Sequence, residues 1–353
     1  MKEGYLVLEN GFVFKGELVS GSEAEGEIVF NTSMNGYQEI ITDPSYAGQI
    51  LVFTYPQIGN YGFNEYDFEY EKPAVNGIVL YDFAELTGHY QSKWNMEQFL
   101  REYDVACIRG IDTRMLTRIL RTEGSMGGVI CSKVESIEKV RERAANSKKM
   151  LDEDLPRKVS IDKKMIYGNG KQKVVVWDLG VKKSIINKLF DYDCTVIVVP
   201  AWTKAEEVME FVPDKIILSN GPGNPKVLNY VQRELQKIPN YIPILGICLG
   251  HQVLALSTGA NTYKMKFGHR GGNHTVKDLE SGRCFVTAQN HGYAVDRGLL
   301  AELGWKIWFE ELNDKTVEGL KHRYYPYFTV QFHPEGAPGP TDTAYVFDYF
   351  MTI

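Results

Sequence analysis

The run Ile242-Pro243-Ile244-Leu245-Gly246-Ile247-Cys248-Leu249-Gly250-His251-Gln252 constrains this chain more than any other stretch. Its apolar, β-branched half predicts a buried strand ending at Gly246, and Gln252-Val253-Leu254-Ala255-Leu256 predicts a helix soon after. Cys248 therefore falls on a sharp strand-to-helix turn, flanked by glycines in the pattern G-x-C-x-G. This is the thiol counterpart of the G-x-S-x-G nucleophile elbow, where small neighbours permit a strained turn that lifts the nucleophile clear of the sheet. Unpaired N–H groups and the dipole at the helix start favour negative charge on the sulfur. The Leu249 N–H then points to where a carbonyl oxygen becomes negative during attack. A free cysteine is commonly just a small buried hydrophobe, but that role does not call for glycines on both sides of the turn.

At 353 residues the chain accommodates about two domains. Its 44% hydrophobic and 24% charged content are those of a globular protein that buries sizeable cores. A net charge of −6, with no long basic run, argues against a nucleic-acid partner. No apolar stretch is long enough to span a bilayer. The start, Met1-Lys2-Glu3-Gly4-Tyr5, has no apolar signal core. Cys107, Cys131, Cys194, Cys248 and Cys284 show no paired spacing, which suits reduced thiols better than a disulfide framework or a zinc site. A cytoplasmic protein is expected.

The first half opens with strand signals: Tyr5–Leu8 and Phe12–Phe14 flank the hairpin turn Asn10-Gly11. Further β-rich runs are Glu27–Phe30, Ile50–Phe53 and Gly77–Tyr81. Helices are expected over Met96–Tyr103 behind Asn95, over Arg114–Arg121 between Asp112 and Gly124, and over Ile137–Ala145 behind Ser136. Residues 1–150 read as one mixed α/β domain, and the polar, charged stretch 151–172 as a linker.

From 173 to 353 the chain alternates short apolar strands with helices, beginning with Val174–Trp177, a helix near Lys183–Phe190 and Thr195–Val199. A helix opened by a Thr203…Glu206 capping box follows, then the strand Lys215–Leu218 and a helix over Val227–Ile238. Repeated units of this kind predict a largely parallel sheet flanked by helices, with the ligand site at the carboxyl ends of its strands. Three strand ends are conspicuous there: Asp178-Leu179-Gly180, Ser219-Asn220-Gly221-Pro222-Gly223, and the Cys248 elbow.

Gly221 and Gly223 let bare backbone approach a substrate and can supply a second oxyanion donor. No Walker A or G-x-G-x-x-G pattern is complete, so no nucleotide site is expected. Of seven histidines, His333 is the candidate base, because it ends the strand Phe328–Phe332 and Glu335 follows two residues on to orient it. His251, inside the helix after the elbow, is expected to pack or cap. His269 and His274 fall in a glycine-rich loop whose sequence offers no carboxylate or cysteine, so no metal is expected. Ala288–Tyr293 follows a strand and suits recognition of a small polar substrate.

Gly246–Gln252 with His333-Pro334-Glu335 and Gly221-Pro222-Gly223 resembles the class I, or triad, glutamine amidotransferases across the second half of the chain. The resemblance implies a Cys248-His333-Glu335 triad that hydrolyses glutamine to glutamate and ammonia. Lys266–His274 and Gln289–Tyr293 narrow it to the small subunits of carbamoyl-phosphate synthetase. Phe30–Glu39, Thr42–Gln49, Ile111–Arg114 and Leu116–Arg118 in the first half do the same. This implies glutamine-binding positions at Ser45, Gly221, Gly223, Leu249, Gln252, Asn290, Gly292 and Tyr293, with Asn224 and Tyr293 replacing the usual Asp and Phe. It implies a heterodimer with a large synthetase subunit that receives the ammonia. ATP and magnesium would then belong to that subunit, for arginine and pyrimidine synthesis, with no cofactor on this chain. A glutaminase serving another synthase, a γ-glutamyl hydrolase and a non-catalytic structural subunit are the alternatives. The first-half motifs weigh against the first two and the intact triad against the third.

Overall fold

The Asn10-Gly11 turn closes as its sequence predicts: Gly11 N donates to Leu8 O and Leu8 N to Phe12 O, both at 2.9 Å, with Gly11 at φ 95°. A computed structural model describes residues 2–134, 136–147 and 151–353 and divides into two units, Met1–Glu153 and Asp154–Ile353. The domain end expected at residue 150 lies outside the described residues.

The first unit contains β1 (Lys2–Leu8), β2 (Val13–Ser20), β3 (Ala24–Asn31), β4 (Gln49–Phe53), β5 (Gln57–Ile58), β6 (Gly77–Val79), β7 (Asp82–Phe83), β8 (Ala106–Arg109) and β9 (Met126–Cys131). All but the β5–β7 ribbon close a barrel in the order β1-β2-β8-β6-β4-β3-β9. Its helices are α1 (Tyr37–Thr42), α2 (Met96–Glu102), α3 (Thr113–Glu123) and α4 (Ile137–Ser147). The expected caps form: Asn95 and Gln98 make a capping box on α2, Asp112 Oδ1 accepts from Met115 N at 2.8 Å, and Gly124 ends α3 at φ 106°.

In the second unit come α5 (Pro156–Val159), β10 (Met165–Tyr167), β11 (Gln172–Asp178), α6 (Lys183–Leu189), β12 (Cys194–Pro200), α7 (Ala205–Glu210), β13 (Lys215–Leu218) and α8 (Asn229–Leu235). They continue with β14 (Ile244–Ile247), α9 (Leu249–Ser257), β15 (Thr262–Asp278), β16 (Cys284–Val295), β17 (Trp305–Glu311), β18 (Val317–His322), β19 (Tyr327–Val330) and α10 (Tyr345–Met351). One sheet runs β10-β12-β11-β13-β14-β19-β18-β16-β15-β17. Its five central strands, β12 to β19 in that order, are parallel, and antiparallel strands extend it on either side. Along β11 the residues alternate between two cores: Val175 and Trp177 pack in one, Val174 and Val176 in the other. A strand buried on both faces reads as an unbroken apolar run, which is why the sequence reveals it.

Several expectations are corrected. The stretch 151–172 is no bare linker: its described residues carry α5 and β10, and β10 pairs antiparallel with β12 while Leu155 and Val159 are buried. Lys204, not Thr203, is the N-cap of α7: Lys204 N donates to Glu207 Oε1 at 3.4 Å, and Ala205 N donates to Glu234 Oε2 of α8 at 3.0 Å, a partner from another helix. The helix expected over Val227–Ile238 splits into a 3₁₀ turn, Pro225–Val227, and α8, because Pro225 and the Asn224 side chain set a tighter first turn. Residues 266–274 are not a loop but part of β15, which slips register between Lys264 and His269 and again between Gly271 and His274. Ala288–Tyr293 lies within β16 rather than after a strand.

Candidate active site

Cys248 sits between β14 and α9 with φ 54° and ψ −104°, backbone that a side-chain-bearing residue rarely adopts. Both flanking glycines are required by contact. A Cβ on Gly246 would lie 2.6 Å from Gly250 O, and one on Gly250 would lie 2.2 Å from Leu218 O. Cys248 N donates to Val330 O at 2.8 Å and Gly250 N to Ser219 O at 3.0 Å, so the ends of β19 and β13 hold the turn from both sides. The Cys248 sulfur lies 3.4 Å from the Asn290 carbonyl oxygen of β16.

The strand ends singled out in the sequence gather around it. Leu179 N donates to Ser219 Oγ at 2.9 Å, and a Cβ on Gly221 would meet Leu179 O at 2.0 Å and Leu249 Cδ2 at 2.9 Å. Gly221 thus packs against Leu249, the residue that follows Cys248. Gly223 takes φ 91°. Asp178 Oδ1 accepts from Gly180 N and Val181 N, which folds that loop.

His333 follows β19, and its N–H donates to Ala288 O at 2.9 Å. Its Nδ1 donates to Glu335 Oε1 at 2.6 Å, with both side chains buried. Burial disfavours the imidazolium, but the Glu335 charge and the adjacent Cys248 outweigh it and raise the His333 pKa. Burial also opposes the Glu335 carboxylate, yet Lys182 and His333 hold its pKa low. With Nδ1 committed to Glu335, Nε2 is the nitrogen left to face the Cys248 sulfur.

Gln252 Nε2 donates to Tyr293 O at 2.8 Å and to Gln331 Oε1 at 2.9 Å, tying α9 to β16, so Leu249, Gln252, Asn290 and Tyr293 are brought together. Gly292 neighbours Arg270, whose Nη2 would be 3.2 Å from an added Cβ. Ser45 belongs to the first unit, buried in the turn Pro44–Tyr46, where its N–H donates to Asp43 Oδ1. His251 packs as expected: fully buried, with Nδ1 2.7 Å from Thr329 Oγ1, and burial lowers its pKa to about 3.

Sequence reasoning missed Lys182. Its Nζ lies 2.9 Å from Glu335 Oε1 and also bonds Ala337 O, with both partners of the ion pair buried. Its position just past a strand end of the parallel sheet was the available signal. Glu318 was missed too: it stands on β18 and supplies a carboxylate beside His269 and His291 that the 266–274 stretch lacks.

An elbow thiol, an imidazole and an orienting carboxylate at one end of a parallel sheet are the parts of a cysteine amidase. Residues 175–353 match the family model for glutamine amidotransferase class-I, and the second unit is a domain of that class. Residues 6–130 match the model for the carbamoyl-phosphate synthase small chain, CPSase domain. The carbamoyl phosphate synthase small chain of Listeria monocytogenes serotype 4b is 46% identical over 355 residues, covering 100% of this chain and 97% of that one. The small chain of Streptococcus agalactiae serotype III is 47% identical over 352 residues, covering 99% and 97%. The pyrimidine-specific small chain of Bacillus subtilis is 47% identical over 354 residues, covering 99% and 95%. The chain belongs to the carbamoyl-phosphate synthase small chain family, and is its glutamine-hydrolysing amidotransferase subunit.

Proposed function

We propose that Cys248, His333 and Glu335 hydrolyse L-glutamine and that the ammonia passes to a large synthetase subunit. His333, oriented by Glu335, takes the thiol proton, and the sulfur attacks the amide carbon. N–H groups of Leu249 and of the Gly221–Gly223 loop stabilise the oxyanion. The C–N bond breaks as His333 returns its proton to the leaving nitrogen, giving ammonia and a thioester. His333 then takes a proton from water, hydroxide adds to the thioester, and the C–S bond breaks to give glutamate and the free thiol. Ser45, Gln252, Asn290, Gly292 and Tyr293 are assigned to the substrate by resemblance.

The observation that carries this reading is the His333–Glu335 contact of 2.6 Å beside an elbow cysteine at φ 54°. Protonation in bulk water would spoil ammonia as a nucleophile, so channelling within a heterodimer follows. ATP and magnesium act on the large subunit, which makes carbamoyl phosphate from ammonia and bicarbonate, and the hydrolysis here needs no cofactor. The product feeds arginine and pyrimidine synthesis in the cytoplasm; among the described residues no helix is long and apolar enough to cross a membrane.

The test measures glutamate release by the purified chain, alone and with the large subunit, bicarbonate and ATP, beside a Cys248→Ser control. Release that rises with the partner, matches carbamoyl phosphate and disappears in the control supports the reading. Release indifferent to the partner points to another synthase or a free hydrolase, and no Cys248-dependent release leaves a structural subunit.

A further inference from the structure

Two imidazole nitrogens and one carboxylate oxygen converge between β15, β16 and β18. His291 Nδ1 lies 2.8 Å from Tyr293 O. A carbonyl oxygen only accepts, so Nδ1 carries the hydrogen and the neutral ring keeps a lone pair on Nε2. His269 Nε2 donates to Asp314 Oδ2 at 2.9 Å, which leaves Nδ1 as its second nitrogen. These two remaining nitrogens are buried and have no hydrogen-bond partner among the described residues. They face the same atom, Glu318 Oε1, at 3.5 Å and 3.7 Å, from side chains no more than 7% exposed. The three donor atoms lie within 4.8 Å of one another. Two ring nitrogens turned on one buried carboxylate oxygen call for a positive charge among them, either a proton on His269 or a metal ion.

The surroundings are those of a metal site. Metal-binding imidazoles characteristically donate their other N–H to a carboxylate or a backbone carbonyl, as His269 and His291 do to Asp314 and Tyr293. Glu318 is likewise fixed, its Oε2 accepting from Gln289 Nε2 at 2.7 Å. Bonds of about 2.0–2.2 Å to a tetrahedral ion place its donors roughly 3.4 Å apart. Two of the three separations are already close to that, and imidazole with carboxylate suits zinc and its neighbours rather than calcium or magnesium.

We propose that His269 Nδ1, His291 Nε2 and Glu318 Oε1 bind one divalent transition ion of the zinc class. The ion ties β15, β16 and β18 together.

The test uses the full chain, made without a polyhistidine tag or chelator. Elemental mass spectrometry should find close to one zinc per chain, and cobalt(II) added after stripping should give a tetrahedral visible spectrum. Zinc should raise the Tm of the stripped chain, and Glu318→Gln should lose both the metal and that rise. Asp314→Asn keeps every ligand and should weaken zinc by about 10- to 100-fold, the usual effect of removing an outer partner. That variant keeps the test decisive if Glu318→Gln does not fold. A stripped chain with no cobalt spectrum and no zinc-dependent Tm would overturn the proposal and assign the bridging charge to a proton. Equal zinc affinity in the wild type and Asp314→Asn would overturn it as well.

Discussion

Lys182 Nζ and Glu335 Oε1 are 2.9 Å apart and buried, and the same oxygen accepts from His333 Nδ1 at 2.6 Å. The carboxylate that holds the His333 ring is therefore itself held by a cation that follows β11. In the proposed mechanism Lys182 touches no reacting atom and acts as a positioning residue.

Replacing Lys182 with Met removes one of the two groups that hold the buried Glu335 charge, His333 being the other. Breaking a buried pair from one side costs about 3–5 kcal/mol. The urea midpoint of Lys182→Met should fall accordingly, and glutaminase kcat should fall while KM for glutamine changes little. A variant of full stability and full kcat would refute the positioning role.

The Cys248→Ser variant should fold normally and lose glutamine hydrolysis by more than about 10³-fold, the scale on which removing a nucleophile acts. In the complex with the large subunit, synthesis from added ammonia should persist. Parallel steady-state assays with glutamine and with ammonium separate the two.

Gly250→Ala places a methyl group 2.2 Å from Leu218 O, a contact that only backbone movement relieves. Overpacking of this kind costs about 1–3 kcal/mol. Thermal unfolding should show that loss, and the displaced elbow should reduce kcat more than KM. Unchanged kinetics would mean the elbow tolerates the shift.

Stability on the acid side should depend on Glu335. Its pKa is lowered in the folded chain from 4.5, so its contribution is complete above the ordinary carboxylate range and is lost as the pH falls toward the folded value. Urea midpoints between pH 7 and pH 3 should decline for the wild type below about pH 4.5 and decline less steeply for Glu335→Gln. Parallel curves would exclude Glu335 as a source of the decline.

Much of this was legible in the chain itself. The strands β11 to β14 are apolar runs because both faces are buried, and the α2 and α3 caps are local hydrogen bonds between residues three apart. The β15 register slips were not legible. Glycines from 268 to 272 read as loop, and only the pairing with β16 shows that Gly268 lets β15 press on His291 and Gly292. The α7 cap was misplaced for a related reason, since the group that satisfies Ala205 N comes from another helix.

The sequence by itself determined the elbow, the His333–Glu335 pair and the parallel centre of the second unit. These depend on spacing along the chain: a turn between two glycines, a strand-end histidine two residues from a carboxylate, and a run of buried strands. Tertiary structure alone decided that Lys182 supports Glu335 across 153 residues of chain and that Glu318 stands between His269 and His291. A buried charge needs a partner whatever its distance in sequence, and only the order of strands in the sheet determines which charges meet.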